Sequence, residues 1–253
     1  MFGFKKKRRL ELMQKPLPPE WLEIVHRNVP YVAKLPENDQ AQLQGLMQVF
    51  LDEKNFEGCN GLEITDEIRV TIAAQACVLL LRRETNVYPR LQSILVYPHA
   101  YVAKGIRAED QHIMTDRPQA RLGESWGHGA VVLSWDDVLS GASDVRDGHN
   151  VVFHEFAHQL DQESSAGPGA PTLERRSMYL AWARVLGQEY ESLLDDLDHH
   201  RRTLIDPYGA TNAAEFFAVV SELFFEKPRQ LAQKHPELYE QLRSFYQQDP
   251  AHT

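Results

Sequence analysis

Cysteine is scarce in this chain of 253 residues, which contains two, Cys59 and Cys77. Neither belongs to a Cys-x-x-Cys pair, so the sequence offers no disulfide framework and no cysteine-rich structural zinc site. Isolated cysteines of this kind fit free thiols in a reducing compartment. We therefore expect a cytoplasmic protein.

Long apolar runs are also missing. The longest, around residues 70–81, includes Thr71 and Gln75 and is too short to cross a bilayer. No apolar stretch of signal-peptide length follows the basic cluster at residues 5–9, which we interpret as a frayed, solvated end. The formal net charge of −9 argues against a general nucleic-acid-binding protein. We expect neither a membrane partner nor direct contact with nucleic acid.

The composition that is present, 43% hydrophobic and 25% charged residues, is typical of a globular protein. Apolar spacing, capping residues and prolines predict a mostly helical α+β fold with a small mixed β-sheet. The predicted helices cover residues 17–33 (interrupted at Pro30), 37–54, 65–83, 151–161, 174–194 and 213–225. The predicted strands are 93–97 and 127–135, and the predicted loops include 56–62 and 163–172.

The sequence His154-Glu155-Phe156-Ala157-His158 lies in the predicted helix that follows Asn150, a suitable N-cap. Residues four apart share one face of a helix, so both imidazoles can converge on one cation. A catalytic zinc takes three protein ligands, and Glu155 is placed to polarise a water without being a ligand. The alternative is a coincidental match, with both histidines hydrogen-bonded on a buried helix.

A third donor is therefore needed. The pattern with a third histidine is excluded, because Asp161 and Ser164 stand at its glycine and histidine positions. The alternative donor is a glutamate of a later helix, and Glu215 and Glu222 both lie on the same side of the apolar helix 213–225. A buried carboxylate there needs a partner or a metal. The spacing alone does not choose between the two.

A second motif runs from Tyr208 through Thr211-Asn212-Ala213-Ala214-Glu215-Phe216-Phe217-Ala218. Together with Phe153-His154-Glu155-Phe156-Ala157-His158 it resembles the gluzincin peptidases related to anthrax lethal factor. The two motifs, their order and their separation resemble more closely the Mlc titration factor A family of bacterial zinc peptidases. The resemblance covers most of the chain.

The resemblance implies that His154, His158 and Glu215 bind one zinc ion and that Glu155 is the general base. Tyr208 matches the tyrosine that hydrogen-bonds the developing oxyanion. Asp161 and Asn212 are candidates for orienting ligands or loops. One position departs from the lethal-factor pattern, because Val219 stands where an acidic residue is expected. Either Glu222 takes the place of this acid in supporting a ligand, or the supporting contact is absent.

The resemblance further implies a single zincin-like metallopeptidase domain over residues 1–253. Residues 91–253 would form its catalytic core, with two helices building the site, and residues 1–90 would brace it. The implied function is a zinc-dependent peptidase, aminopeptidase-like on short peptides. The alternative is a regulatory protein that sequesters the Mlc transcriptional repressor of glucose uptake.

Three local expectations complete the analysis. The strand at 130–135 either pairs with an extended peptide substrate by edge addition or is an ordinary internal strand. The loop 163–172 is expected to be flexible and next to the site. His128, His199 and His200 are interpreted as solvent-facing residues without a role in the site.

Overall fold

The computed structural model describes residues 2–83, 86–100 and 129–252. These residues form ten α-helices and three short β-strands, which confirms the mostly helical α+β prediction. The helices are α1 (Phe2–Met13), α2 (Pro19–Asn28), α3 (Glu37–Glu53), α4 (Asp66–Val78), α5 (Trp135–Ser143), α6 (Val151–Gln162), α7 (Met178–Asp198), α8 (Ala213–Glu226), α9 (Pro228–Lys234) and α10 (Pro236–Tyr246). The strands are β1 (Asn55–Gly58), β2 (Ser93–Tyr97) and β3 (Ala130–Ser134). Two 3₁₀ turns, Pro30–Lys34 and Pro207–Ala210, precede α3 and α8.

Four of the described helices, α4, α5, α6 and α8, begin at a capping side chain that the sequence offers. The Thr65 hydroxyl accepts a hydrogen bond from the backbone N–H of Ile68 at the start of α4. Helices α3 and α8 match their predicted ranges within one residue at each end. The predicted extension of α4 to residue 83 is wrong, because the helix ends at Val78 and the chain reaches a left-handed conformation at Arg82 (φ 61°).

The interpretation of the basic N-terminal segment as a frayed end is also wrong. The segment forms α1, which packs on α3. Arg9 donates two hydrogen bonds to the Glu53 carboxylate, at 2.6 and 2.7 Å, and Arg8 donates one to Asp52 at 2.6 Å. Each acceptor lies 44 residues further along the chain. Local sequence patterns therefore gave no signal for this pairing.

The three described strands form one sheet in the order β1-β2-β3, and both pairings are parallel. The expectation of a mixed sheet is therefore wrong for the described residues. Helix α4 lies between β1 and β2 in the chain, and a helical crossover returns the second strand in the same direction as the first. The predicted loop 56–62 is wrong at its start, because Phe56 pairs with Ile94 in β1 and β2.

The third strand is shorter than predicted. It ends at Ser134, whose hydroxyl accepts a hydrogen bond from the backbone N–H of Asp137 and so caps α5. Gly127 and His128, which were assigned to the predicted strand, lie outside the described residues. No helix in the described part of the chain has the length and apolarity needed to cross a membrane.

Aromatic residues connect the N-terminal helices to α6 in one hydrophobic core. The ring of Phe156 on α6 lies 5.7 Å from that of Phe50 on α3 and 4.8 Å from that of Tyr88. On the next turn of α6, the ring of Phe153 lies 5.1 Å from that of Phe225 on α8. These contacts hold α6 between the N-terminal helices and α8, which fixes the position of both histidines of the motif.

Candidate metal centre

The start of α6 is fixed by Asn150, as the sequence predicts. Its side-chain oxygen accepts a hydrogen bond from Phe153 N at 3.0 Å, while its amide group donates to Gln75 Oε1 at 3.0 Å and to the Gly141 carbonyl at 3.1 Å. Its backbone N–H donates to Glu222 Oε2 at 2.6 Å. One buried asparagine thus ties the helix end to α4, α5 and α8, which fixes the rotation of α6 and the direction of its histidines.

Helix α8 begins with a second asparagine cap. The Asn212 side chain accepts hydrogen bonds from Ala214 N at 2.9 Å and from Glu215 N at 3.0 Å. This places Glu215 in the first turn, where the positive end of the helix dipole also favours a carboxylate. Upstream, Asp206 accepts a hydrogen bond from Tyr208 N at 2.8 Å and caps the preceding 3₁₀ turn. Consecutive caps therefore position the residues of the second motif.

The two helices bring His154, His158 and Glu215 together as one group in which a metal-binding atom of each residue lies within 4.8 Å of the others. Glu215 Oε2 lies 3.0 Å from His154 Nε2 and 3.2 Å from His158 Nε2, and the two imidazole nitrogens are 3.2 Å apart. Three donors at about 2.0–2.2 Å from a tetrahedral zinc would be separated by roughly 3.4 Å. Both the chemistry of these donors and their separations fit a zinc ion with one position left open.

Glu222 and Glu215 contact different nitrogens of the His154 ring. Its Oε1 accepts a hydrogen bond from His154 Nδ1 at 2.8 Å, on the side of the imidazole that faces away from the three-residue group. Val219, where the lethal-factor pattern has an acid, is buried and apolar. Glu222 therefore contacts a histidine of the group although Val219 replaces the expected acid. The geometry also distinguishes the two glutamates, because Glu215 lies beside both histidine Nε2 atoms and Glu222 lies beside His154 Nδ1.

His154 and Glu215 shift each other's pKa in opposite directions. Burial lowers the pKa of His154, but its hydrogen bonds with Glu215 and Glu222 outweigh this and raise the pKa to about 10. Burial raises the pKa of Glu215, but the two histidines outweigh this and lower the pKa to about 2. These opposite shifts favour a protonated His154 beside an ionised Glu215.

Glu155 lies beside this group, in surroundings that disfavour its charged form. Burial is the largest influence and raises its pKa above the usual glutamate value, although the neighbouring His154 and His158 oppose the shift. A carboxylate whose pKa is raised towards neutrality is a better proton acceptor and donor in water-mediated hydrolysis. Its environment thus fits a general base.

Tyr208 reaches the same place from the turn before α8. Its ring centroid lies 6.0 Å from that of His154, with the planes inclined by 41°. The structure therefore brings together the five residues that the resemblance names as ligands or catalytic groups, namely His154, Glu155, His158, Tyr208 and Glu215.

Both backbone groups of Gly169, in the loop 163–172, are hydrogen-bonded; the flexibility expected of this loop stays a prediction. The backbone N–H of Gly169 donates to Asp161 Oδ2 at 2.8 Å, and its carbonyl accepts from Trp182 Nε1 at 2.9 Å. Gly169 has a φ of 75°, and a Cβ atom there would lie 2.5 Å from the carbonyl oxygen of Ala213. Asp161 therefore orients this loop against the start of α8, next to Glu215.

His199 and His200 do not belong to the three-residue group. His199 and His200 are exposed beyond the end of α7, as expected. His128 lies outside the described residues. Strand β3 pairs with β2 on one side, and no other strand in the described ranges pairs with its second side.

Sequence reasoning missed how α8 holds the loop before α6. Glu226 Oε2 accepts a hydrogen bond from Gly148 N at 2.9 Å, one helical turn from the bond between Glu222 and Asn150 N. Two glutamates four residues apart in an otherwise apolar helix were an available signal, because such carboxylates need partners when buried. Their partners are backbone amides, which carry no sequence signature.

Comparison with known proteins identifies the relatives of this chain. The profile of a family described as glucose-regulated metallo-peptidase M90 matches residues 4–247. An uncharacterised protein of Synechocystis is 45% identical over 244 residues, which cover 96% of this chain and 89% of the relative. Proteins named Mlc titration factor A from Serratia proteamaculans and Klebsiella pneumoniae (strain 342) are each 32% identical over 225 residues, covering 88% of this chain and 85% and 84% of theirs.

Proposed function

Because this chain belongs to the glucose-regulated metallo-peptidase M90 family, we propose that it is a zinc-dependent peptidase that hydrolyses short peptides. The observation that carries the proposal is the convergence of His154 Nε2, His158 Nε2 and Glu215 Oε2 to within 3.2 Å of one another. In this proposal the three residues hold one zinc ion per chain. The two free thiols, Cys59 and Cys77, agree with activity in the reducing cytoplasm.

When bound, the zinc ion supplies a Lewis acid that lowers the pKa of water towards 7 and polarises a carbonyl group. Glu222 accepts a hydrogen bond from the Nδ1–H of His154, which leaves the Nε2 lone pair available to hold the zinc ion. The same carboxylate holds Asn150 N at the start of α6, so the imidazole and its helix are oriented together.

In this mechanism Glu155 accepts a proton from the attacking water and delivers it to the leaving amine nitrogen. The raised pKa that burial gives this carboxylate supports both transfers, since the group must first take and then release the proton. The Tyr208 hydroxyl donates a hydrogen bond to the oxyanion that develops on the scissile carbonyl. The closeness of its ring to His154 supports this role.

We further propose aminopeptidase-like specificity, which rests on the resemblance of the two motifs. Strand β3 is a candidate surface for the peptide, because its second side has no partner among the strands of the described ranges. An extended peptide that pairs there would add its backbone hydrogen bonds to the sheet.

Hydrolysis of amino-acid anilides by purified protein tests the proposal. Chelation should abolish the activity and added zinc should restore it. Glu155→Gln should lose at least about 10²-fold in kcat, since general acid–base catalysis contributes on that order. This variant should keep its zinc because Glu155 is not a ligand. Unchanged activity in Glu155→Gln would exclude the mechanism.

A second candidate function is a regulatory protein that binds the Mlc transcriptional repressor and so affects glucose uptake. It is favoured by the name Mlc titration factor A of relatives that are 32% identical. A pull-down of purified Mlc with Glu155→Gln separates the functions. Capture by this variant at wild-type affinity would show that partner binding does not need catalysis, whereas no capture by either protein would exclude the regulatory candidate.

A further inference from the structure

A cavity of about 410 Å³ lies at the opposite end of α8 from Glu215. Its walls come from the 3₁₀ turn Pro30–Lys34, the loop before α6, the junction of α8 with α9, and the chain after α10. Glu215 and Glu226, which occupy the two ends of α8, are separated by eleven residues and so by about 16 Å along the helix axis. The cavity is therefore separate from the candidate metal centre.

The rim of the cavity is positive although the whole chain is acidic. Lys34, Arg82, Arg146 and Arg229 all line it. Asp39 neutralises Arg82 through two hydrogen bonds, at 2.7 and 3.0 Å. Within the described ranges, no carboxylate forms an ion pair with Lys34, Arg146 or Arg229. Asp249 also lines the cavity, but its carboxylate is already paired, at 2.8 Å from His252 Nδ1 and 3.8 Å from Arg243 Nη1. The cations at this cavity thus exceed the carboxylates available to balance them.

The charges around the cavity also favour an anion. The positive charge of Arg146 contributes, after burial, to lowering the pKa of Lys34, so these two cations lie within each other's field. An oxyanion between them would remove this repulsion. The third acid at the cavity, Glu226, has a pKa raised to about 9, chiefly by burial and then by Asp147, so it is neutral at pH 7 and does not repel an anion.

One wall of the cavity is aromatic. Tyr31 lines it together with Phe225, their ring centroids 6.1 Å apart, and the Lys34 ammonium lies 5.9 Å from the Tyr31 centroid. Such a wall suits the carbon framework of a ligand, while guanidinium groups suit its phosphate oxygens. The combination favours an organic phosphate over a free inorganic ion.

We propose that this cavity binds a small organic phosphate, with the phosphate held by Lys34, Arg146 and Arg229 and the carbon framework packed on Tyr31. The loop that carries Arg146 continues to Gly148 and Asn150, whose backbone N–H groups are held by Glu226 and Glu222. A ligand that fixes Arg146 therefore stabilises the segment that begins α6. The proposal does not depend on peptidase activity.

Phenyl phosphate is the probe, measured by calorimetry on the full-length, metal-free protein so that no zinc competes for the phosphate. We expect phenyl phosphate to bind, inorganic phosphate to bind more weakly, and phenol to show no binding. Arg146→Ala and Arg229→Ala should each weaken phenyl phosphate binding about tenfold or more, because each removes charge-assisted hydrogen bonds. Arg146→Lys should lose less than Arg146→Ala.

Arg176→Ala is the matched control, since Arg176 is an exposed arginine outside the cavity. It should bind phenyl phosphate as the wild type does. Hydrogen exchange should show that phenyl phosphate slows exchange in the peptide that contains Gly148 and Asn150. The proposal is overturned if phenyl phosphate does not bind, if phenol binds equally well, if Arg146→Ala behaves like Arg176→Ala, or if exchange at this peptide is unchanged at saturation.

Discussion

The Glu222 carboxylate on α8 contacts both His154 and the start of α6, the helix that carries His154. Its Oε1 lies 2.8 Å from His154 Nδ1 and its Oε2 lies 2.6 Å from the backbone nitrogen of Asn150. Both acceptor oxygens are occupied, and the side chain is almost fully buried. Because one group orients the imidazole and anchors the helix, a change at Glu222 should alter metal affinity even though Glu222 contributes no donor to the three-residue group.

Glu222→Gln is expected to lower zinc affinity about 10- to 100-fold, the usual effect of losing the hydrogen-bond partner of a ligating histidine. Glutamine retains one acceptor oxygen and so cannot serve both His154 and Asn150 N. Competition with a chelator of known affinity at fixed pH measures the change. Glu189→Gln is the matched control, because Glu189 forms a comparable contact of 2.7 Å with His235. Equal zinc affinity in the two variants would contradict the orienting role of Glu222.

Glu215→Ala should reduce bound zinc from about one ion per chain to nearly none. The substitution leaves two imidazoles, whereas catalytic zinc sites use three protein ligands. Metal analysis of the purified proteins after dialysis gives the stoichiometry. Glu191→Ala, which removes an exposed glutamate of α7, should retain the metal. Full zinc retention in Glu215→Ala would move the third ligand to another residue.

Gly169→Ala should destabilise the protein, because its Cβ would lie 2.5 Å from the Ala213 carbonyl oxygen and its φ is 75°. We expect a loss of about 1–3 kcal/mol in the free energy of unfolding, measured by denaturant titration. Gly167→Ala is the control, since Gly167 also has a positive φ but no atom within 4 Å of the added Cβ. Alanine adopts the φ of 113° at Gly167 less readily than 75°, so a larger loss in Gly169→Ala would be due to the close approach.

No measurable loss of stability in Gly169→Ala would show that the loop shifts to accommodate the added Cβ. If the loop does not shift, the added Cβ should displace Ala213. Asn212 and the first turn of α8 should then move with Ala213. Zinc affinity should therefore fall in Gly169→Ala and remain unchanged in Gly167→Ala.

Local patterns predicted the parts of the site that depend on neighbours in the chain. The spacing of His154 and His158 placed both on one face of a helix, and Asn150 caps that helix as expected. The same kind of reasoning could not choose between Glu215 and Glu222, because both lie on one side of α8. The choice depends on how α8 sits against α6, which long-range packing determines.

The same limit explains the elements that were missed. Strand β1 has four residues and is held by its register with β2, whose Ser93 pairs with Asn55. Helix α1 owes its position to acidic residues 44 positions away, including Glu53. In both cases the stabilising partner is distant in sequence, so apolar periodicity and capping signals in the segment itself were too weak to indicate it.

Glu226→Gln should make the protein more stable at neutral and alkaline pH. Burial, with Asp147 next, raises the pKa of Glu226 from its usual 4.5 to about 9 in the folded state. The folded protein therefore holds a proton that the unfolded chain releases above pH 4.5. The stability that this group contributes is fully present below pH 4.5 and is lost by about pH 9. Between these limits the free energy of unfolding falls by up to about 1.4 kcal/mol per pH unit.

Glutamine remains neutral and keeps an oxygen that accepts the hydrogen bond from Gly148 N. The stability of Glu226→Gln should therefore fall less between pH 5 and pH 9 than that of the wild type, as measured by urea titrations across this range on metal-free protein. Glu23→Gln is the control, because it removes a glutamate from the exposed side of α2 and should leave the pH profile as in the wild type. Parallel profiles for wild type and Glu226→Gln would mean that the unfolded chain and the folded protein bind the same number of protons at Glu226, and that its carboxylate is charged in the folded state.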